Sequence, residues 1–243
     1  METILVVAAE ARELAGLAQQ LSGRRKLALS LGFAEQGELG GRRWLLAANG
    51  PGPKLAAAAV KAFERPDRIV STGYCGALDP ALVPSDMVIC NRVLDAGTDR
   101  RFKTADEFGA TCLSGDRVIQ TAREKQLLRE TTGASVCEME AAGVAAEAEA
   151  MGVPFHCIRV VTDTSREDLG VDFNACRDED GRFQLGRIAL SALRKPRHIP
   201  ELLKLNERAC AGTTRLGVYL AEWGSQSWLQ PPYQAASDES GKL

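Results

Sequence analysis

The chain has 243 residues, of which 45% are hydrophobic and 26% charged, with a formal net charge of −2 at pH 7. These values are sufficient for a compact α/β domain and exclude an intrinsically disordered chain. They also exclude a nucleic-acid binder, because no excess of Lys and Arg is available to neutralise phosphates. No uncharged apolar run approaches the roughly 18 residues that span a bilayer, so we expect no transmembrane segment. We expect no signal peptide either, because residues 1–3 lack a basic region and Glu10, Arg12 and Glu13 interrupt the apolar start.

Strands and helices alternate along the chain. The apolar run 4–8 predicts a buried strand, leucine spacing predicts a helix over 10–21, and β-branched residues predict a central strand over 154–161. The other predicted strands are 26–31, 43–48, 68–72, 86–93, 111–113 and 135–139. The other predicted helices are 54–63, 118–131, 140–151, 183–193 and 199–222.

This alternation predicts an α/β fold, a three-layer sandwich around a mixed, largely parallel central sheet. We expect residues 1–225 to form a single domain and 226–243 to form a mobile C-terminal tail. Because ligands bind at the carboxyl ends of strands in such sheets, the strand-to-loop junctions are the candidate sites.

Two junctions are suited to binding anions or sugars. Arg12 lies just beyond the first strand, near a helix N-terminus, where it could bind phosphate; a solvated first helical turn is the alternative. Thr72 and Gly73 belong to the segment 71–77, whose hydroxyl and glycines could present backbone amides to a ligand, or simply form a tight exit from the strand.

Two further junctions carry carboxylates. Glu138 and Glu140 share a face if the strand continues that far, and a carboxylate can accept two hydrogen bonds from a ribose diol. The alternative is an acidic first helical turn. Asp163 ends the most apolar strand, where desolvation favours a protonated carboxyl that acts as a general acid.

The order and spacing of four motifs resemble a known superfamily. STGxxG at 71–76, SGD at 114–116, EMEA at 138–141 and RVVTD at 159–163 are similar to those of purine nucleoside phosphorylases and methylthioadenosine/S-adenosylhomocysteine nucleosidases. The resemblance covers residues 4 to about 165. It implies a nucleoside phosphorylase-like fold and cleavage of the N-glycosidic bond of a purine nucleoside, with adenine favoured as the base.

The resemblance also implies residue roles. Asp163 would protonate N7 of the departing base, Glu140 would bind the ribose hydroxyls, and Met139 would pack against the sugar beside Glu138. The other residues expected to contact the substrate are Val118 and Ile119, which line the base, together with Thr162, Thr72 and Gly73. Proton donation and diol binding both act most strongly on the oxocarbenium-like transition state.

The nucleophile depends on one position near the first strand. Aligned with the superfamily, Arg12 stands where bacterial phosphorylases bind phosphate and nucleosidases carry a water-activating glutamate. Arg12 therefore favours inorganic phosphate as the co-substrate. A shift of one residue would place Glu13 there and favour water, and Ser71 and Tyr74 leave the phosphate site incomplete.

Motifs after residue 170 resemble the hopanoid-associated branch of this superfamily. They are DFNA at 172–175, DGR at 180–182, LRKP at 193–196 and IPEL at 199–202. This branch is linked to adenine release from adenosylhopane. Leu202, Leu203, Leu205 and Trp223 could line an apolar entrance, although ordinary helix packing explains them as well.

Other expectations follow from composition and resemblance. Seven cysteines without a CxxC pair and only two histidines indicate no metal site and a reducing cytoplasmic location. No cofactor is expected, and superfamily members imply a homo-oligomer. The alternatives are a hydrolytic nucleosidase, a non-catalytic nucleoside-binding module and a dinucleotide-dependent oxidoreductase; the absence of GxGxxG argues against the last.

Overall fold

The computed structural model describes residues 1–225 as a ten-stranded sheet with helices on both faces. Residues 226–243, for which the sequence predicts a mobile tail, lie outside the described part. The strands are Thr3–Ala8 (β1), Ser22–Lys26 (β2), Phe33–Leu39 (β3), Arg42–Ala48 (β4), Arg68–Ala77 (β5), Met87–Asp95 (β6), Arg101–Lys103 (β7), Ala110–Ser114 (β8), Val136–Glu138 (β9) and Phe155–Asp163 (β10). The helices are Ala11–Ala18 (α1), Pro53–Lys61 (α2), Ala122–Thr132 (α3), Ala141–Met151 (α4), Leu185–Arg194 (α5) and Ile199–Ser225 (α6).

The sheet is parallel at its centre. β4, β1, β5 and β10 run in the same direction, and β5, β10, β6, β8 and β9 also pair around a closed ring. Across residues 1–225, five of the ten strand pairings are antiparallel, because the hairpins β2–β3–β4 and β6–β7 add to β10–β6 and β5–β9. The carboxyl ends of β1, β5 and β10 meet at one edge, which positions the site.

The sheet separates two apolar layers, which gives the predicted three-layer sandwich. α1 and α6 pack on one face, while α2 and α4 pack on the other. Glycines bring each helix pair into close contact. A Cβ on Gly16 would lie 2.3 Å from the carbonyl oxygen of Thr213, and one on Gly143 would lie 2.0 Å from that of Pro53. Larger residues at these two glycines would force the paired helices apart.

Most predicted elements are present, and the hairpin before residue 48 is the main difference. The strand predicted over 26–31 is absent, and β2 and β3 lie on either side of that segment. Gly40 and Gly41 both adopt left-handed backbone angles, as a tight two-residue hairpin requires. The turn is therefore confined to these two residues and Gly37 lies within β3, so the glycine-rich run obscured a real strand. Within the described range, every helix is too short or too polar to cross a bilayer.

Candidate active site

A cavity of about 380 Å³ opens at the edge where β1, β5 and β10 end. Its inner wall is polar. It is lined by the β1–α1 junction, residues 74–76 of β5, residues 138–140 and the end of β10. Its outer wall is apolar and comes from α5, α6 and the segments before them. The cavity therefore combines carboxylates with hydrocarbon, as small-molecule sites do.

Asp163 lies in the polar wall, as predicted, and both of its oxygens are held. Oδ2 accepts a hydrogen bond from Lys125 Nζ at 2.6 Å, and Oδ1 accepts one from Thr162 Oγ1 at 2.9 Å. Asp163 is only 7% exposed. Thr162 also lines the cavity, so its hydroxyl holds the carboxyl of Asp163 at the cavity wall.

Lys125, on α3, holds Asp163 in place, and the sequence motifs do not indicate this contact. Its side chain is fully buried, and Nζ donates to Asp163 Oδ2, to the carbonyl of Thr164 at 2.8 Å and to that of Glu167 at 3.0 Å. Three acceptors match the three hydrogens of an ammonium group. The sequence gives only a weak indication that Lys125 faces the interior: it lies three residues before Leu128, on the same face of the helix.

The EMEA motif forms the junction between β9 and α4. The carboxylate of Glu138 accepts hydrogen bonds from the backbone N–H groups of Glu140 and Ala141, both at 3.0 Å, and from Arg159. Glu138 thus accepts from the free backbone N–H groups at the start of α4 and does not present a free carboxylate. Met139 and Glu140 line the cavity beside it. The strand ends at Glu138, so the convergence of the two glutamates comes from the helix start.

Glu140 keeps one oxygen available for a ligand. Oε1 accepts from the backbone N–H of Gly52 at 3.1 Å, and Oε2 has no hydrogen-bond partner among residues 1–225. Burial, and then the charge of Glu138, raise the pKa of Glu140 from 4.5 to about 8. Near pH 7 the carboxyl of Glu140 is therefore neutral, and it can both donate to and accept from a diol.

This raised pKa predicts an unusual dependence of stability on pH. A carboxyl whose pKa is higher in the folded than in the unfolded state stabilises the fold fully when the pH is below its unfolded-state pKa. As the pH rises from the unfolded-state pKa to the folded-state pKa, this stabilisation is lost at about 1.4 kcal/mol per pH unit. The Tm of the wild-type protein should therefore fall more steeply between pH 5 and pH 8 than the Tm of Glu140→Gln. Thermal melts of both proteins across this range test the difference, and parallel curves would contradict the buried neutral carboxyl.

Glu13 and Arg12, which are neighbours on α1, have different environments. Glu13 is buried in the cavity wall, where it accepts from the backbone N–H groups of Tyr74 at 3.0 Å and Glu10 at 2.8 Å. A Cβ on Gly73 would lie 2.6 Å from Glu13 Oε1, so the glycine makes room for this carboxylate. Burial raises the pKa of Glu13 above its ordinary value, because its effect exceeds the lowering caused by these two hydrogen bonds. Arg12 also lines the cavity, but its side chain is 55% exposed and pairs with Glu10 at 2.7 Å.

Arg159 is a buried positive charge behind the glutamates. Its Nη2 donates to Ser71 Oγ at 2.6 Å and to Glu138, while Nε and Nη1 have no partner in the described part of the chain. Burial opposes its charge, but Glu138 and then Cys157 and Glu140 outweigh it and hold the pKa of Arg159 well above its ordinary value. Arg159 thus compensates part of the negative charge that the site concentrates.

The structure corrects the sequence prediction for Thr72 and Gly73. Neither lines the cavity, which contacts β5 only from Tyr74 onward. Thr72 is paired with Ile158 of β10 in the centre of the sheet, and its buried hydroxyl has no hydrogen-bond partner among residues 1–225. Both residues therefore lie behind the wall, and Gly73 acts by admitting Glu13 rather than by touching a ligand.

Val118 and Ile119 line the cavity, as predicted. Both backbone groups of Val118 are already used: its N–H donates to Asn174 Oδ1 and its carbonyl accepts from Asn174 Nδ2, each at 2.9 Å. The N–H and carbonyl of Ile119 have no hydrogen-bond partner in the described residues. Asn174 therefore fixes a loop whose next peptide groups are free for a ligand.

The outer wall contains some of the residues that the sequence predicts at an apolar entrance. It is lined by Leu169, Phe173, Phe183, Leu185, Ile188, Leu202, Leu205 and Ala209. Leu203 is instead 65% exposed, and Trp223 packs against His156 in the core. Two of the four predicted leucine and tryptophan positions thus reach the cavity, and the other two do not.

Among residues 1–225, one group of side chains has the proximity that a metal site requires. The sulfur atoms of Cys90, Cys112 and Cys157 lie within 4.8 Å of one another in the core. None of the three lines the cavity. Three buried thiols supply one ligand fewer than a structural zinc site uses, and they lie where small apolar side chains would also pack.

The comparisons with known proteins converge on one group. The sequence model of the Phosphorylase superfamily matches residues 3–110 and 98–194. A 5'-methylthioadenosine/S-adenosylhomocysteine nucleosidase of Mycobacterium bovis is 28% identical over 79% of this chain and 94% of its own length. One of the same name from Shewanella piezotolerans is 25% identical over 57% of this chain and 76% of its own.

Solved structures show the same fold. The Campylobacter jejuni 5'-methylthioadenosine/S-adenosyl homocysteine nucleosidase superposes with a TM-score of 0.71 at 16% identity, covering 93% of this chain and 99% of that one. The Neisseria meningitidis nucleosidase in complex with methylthio-immucillin-A has a TM-score of 0.67 at 23% identity, covering 93% and 99%. These similarities confirm the predicted α/β fold.

Proposed function

The chain belongs to the phosphorylase superfamily, and from that premise we propose that it hydrolyses the N-glycosidic bond of an adenine nucleoside. Membership confirms the recognition made from the four motifs. The names of the relatives agree with an enzyme that cleaves purine nucleosides. The observation that carries the choice of water as nucleophile is the buried carboxylate of Glu13 in the cavity wall.

Asp163 supplies the proton to the leaving base. As the bond between C1' and N9 breaks, its electron pair moves into the purine, and N7 takes a proton from the carboxyl of Asp163. Lys125 and Thr162 hold the two oxygens of that carboxyl, so it is oriented before the substrate arrives. Proton donation of this kind acts on charge that develops only in the transition state.

Glu140 and Met139 bind the sugar. The free Oε2 of Glu140 can bond the ribose hydroxyls, while Gly52 holds the other oxygen in place. The side chain of Met139 provides an apolar surface for the ribose ring, since it lines the same wall. Glu138 supports both residues through the start of α4 and Arg159, which makes it a positioning residue here.

Glu13 activates the water, and this replaces the preference for phosphate that Arg12 suggested from sequence. A buried carboxylate with a raised pKa is a stronger base than an exposed one. It takes a proton from water as the oxygen bonds to C1', giving a free sugar. Arg12 is half-exposed and engaged by Glu10, and Ser71 is occupied by Arg159, so neither supports a phosphate site.

The loop at Ile119 fits the edge of adenine. Its free N–H can donate to N1 of the base, and its free carbonyl can accept from the exocyclic amino group. Asn174 holds the preceding peptide groups and thereby presents this edge. An amino purine satisfies both groups. A 6-oxo purine would instead place its O6, an acceptor, against the carbonyl of Ile119, and its N1–H, a donor, against the N–H of Ile119.

The apolar outer wall supports a substrate with an apolar substituent at the 5' position. Phe173 and Phe183 meet edge to face, with ring centroids 6.2 Å apart, next to leucines of α5 and α6. A thioether or a hydrocarbon would exclude water there. The finer proposal is that the substituent is a hopane, as the motifs after residue 170 suggest.

We also propose a cytoplasmic homo-oligomer. Six of the seven cysteines are buried and all seven are free, which fits a reducing compartment. The oligomer follows from the superfamily resemblance alone.

The proposed reaction is tested by measuring adenine release from adenosine and from 5'-methylthioadenosine, with and without phosphate. We expect equal rates in both conditions and a free sugar as the product. Glu13→Gln should lose at least about 10²-fold in kcat, because it removes a general base. Its neighbour Arg12→Ala is the matched control and should change kcat little.

The opposite pattern identifies phosphorolysis. Strict dependence on phosphate, with a sugar 1-phosphate as product and loss of activity in Arg12→Ala, would overturn the assignment of water. Saturable binding of adenosine without release of adenine from either nucleoside would favour the non-catalytic binding module.

A further inference from the structure

The segment that contains α5 is rich in arginine and has no acidic residues. Residues 181–200 contain no Asp or Glu, although the whole chain carries a net charge of −2. The cations of this segment are Arg182, Arg187, Arg194, Lys195 and Arg197. The segment therefore differs in charge from the rest of the protein.

The apolar side chains of α5 extend beyond the side of the helix that faces the protein interior. Ile188 and Ala192 face inward, with Ala192 buried and Ile188 lining the cavity. Leu185, Leu190 and Leu193 are 75%, 48% and 69% exposed. At 100° per residue these three leucines span about 140° of the helix surface, next to the inward stripe.

The cations adjoin this exposed arc. Arg187 and Arg194 follow Leu190 around the helix, so they border the leucine arc on one side. Arg194 and Lys195 are exposed and form no ion pair with any described residue. Their charges are thus available to a partner, beside leucines that keep about half or more of their surface exposed.

We propose that α5 and the turn after it dock on the surface of an anionic lipid bilayer. A short helix with leucines on one arc and arginine or lysine beside it is suited to the boundary between head groups and acyl chains. Anionic head groups attract the cations, and the leucines leave water for the bilayer. Neutral membranes satisfy only the second requirement.

The docking surface is continuous with the mouth of the cavity. Leu185 and Ile188 belong to the same helix and line the outer wall. Docking therefore places the apolar side of the cavity at the lipid surface. An adenine nucleoside with a hydrocarbon substituent could then enter from the bilayer, a step that rests on the proposed function; the docking does not.

The test is flotation of the full chain with vesicles of phosphatidylcholine alone or mixed with phosphatidylglycerol. We expect binding to the anionic vesicles, little binding to the neutral ones, and release at high salt as the charges are screened. Leu190→Ser/Leu193→Ser and Arg194→Glu/Lys195→Glu should each weaken the partition at least about tenfold. Leu127→Ser, on α3 and 57% exposed, is the matched control and should bind like wild type.

Three results would overturn the proposal. The first is a wild-type protein that stays unbound with anionic vesicles, and the second is a Leu127→Ser variant as defective as the α5 variants. The third is a wild-type dimer that Leu190→Ser/Leu193→Ser converts to monomers without any vesicle binding, since the leucines would then be a subunit interface. Adenine release from soluble adenosine, measured without vesicles, separates failure of docking from failure of the reaction.

Discussion

Asp163→Asn is expected to lower kcat for adenine release by roughly 10²–10⁴-fold while leaving nucleoside binding nearly unchanged. The amide keeps the shape of the carboxyl: its oxygen can accept from Lys125 while its NH2 group donates to Thr162 Oγ1, but it has no acidic proton to transfer. A C-nucleoside, whose base cannot be cleaved, reports the binding by titration. An unchanged rate of adenine release would contradict the role of Asp163 as the acid.

A second substrate separates acid catalysis from general damage to the site. The nitrophenolate of a nitrophenyl riboside leaves as a stable anion, so its departure does not need a proton. Asp163→Asn should therefore cleave this substrate at a rate close to wild type. Glu13→Gln should lose activity on both substrates, because water must be activated whichever group leaves.

The carboxylates of this site could be identified from sequence because each follows a local signal. Asp163 ends a strand whose nine residues are all buried, and EMEA stands where a strand becomes a helix. β1 and β10 run parallel to β5, so the ends of these strands meet at one edge, as their positions in the sequence predict. β9 is antiparallel to β5, and EMEA reaches the same edge because β9 pairs with the last residues of β5. Arg12 and Glu13 were harder, since a helix turns by about 100° per residue and one step decides which side chain is buried.

The partners of these carboxylates could not be predicted in the same way. Lys125 comes from a helix 38 residues before Asp163, and Asn174 reaches back 56 residues to Val118. Such contacts depend on how distant elements pack, which no local period encodes. Thr72 shows the converse error: its motif matched, but its depth in the sheet, which depends on the length of β5, placed it behind the wall.

Lys125→Met should be the most damaging substitution away from the cavity surface. It removes a fully buried ammonium and leaves the carboxylate of Asp163 and the carbonyls of Thr164 and Glu167 without their donor. Breaking a buried ion pair from one side costs about 3–5 kcal/mol of stability. Lys61→Met removes an ion pair with Glu147 whose lysine is 65% exposed, and as the matched control it should cost less than about 1 kcal/mol.

The effect on catalysis distinguishes positioning from stability alone. With Oδ2 released, Asp163 can rotate away from N7, and a misplacement of about 1 Å can cost roughly 10²-fold in rate. We therefore expect kcat for adenine release to fall by about that factor in Lys125→Met, with KM nearly unchanged and cleavage of the nitrophenyl riboside retained. Lys125→Gln restores a neutral donor to Oδ2 and should recover part of the lost kcat. Equal losses on both substrates, without rescue by glutamine, would show that Lys125 serves folding and does not position the acid.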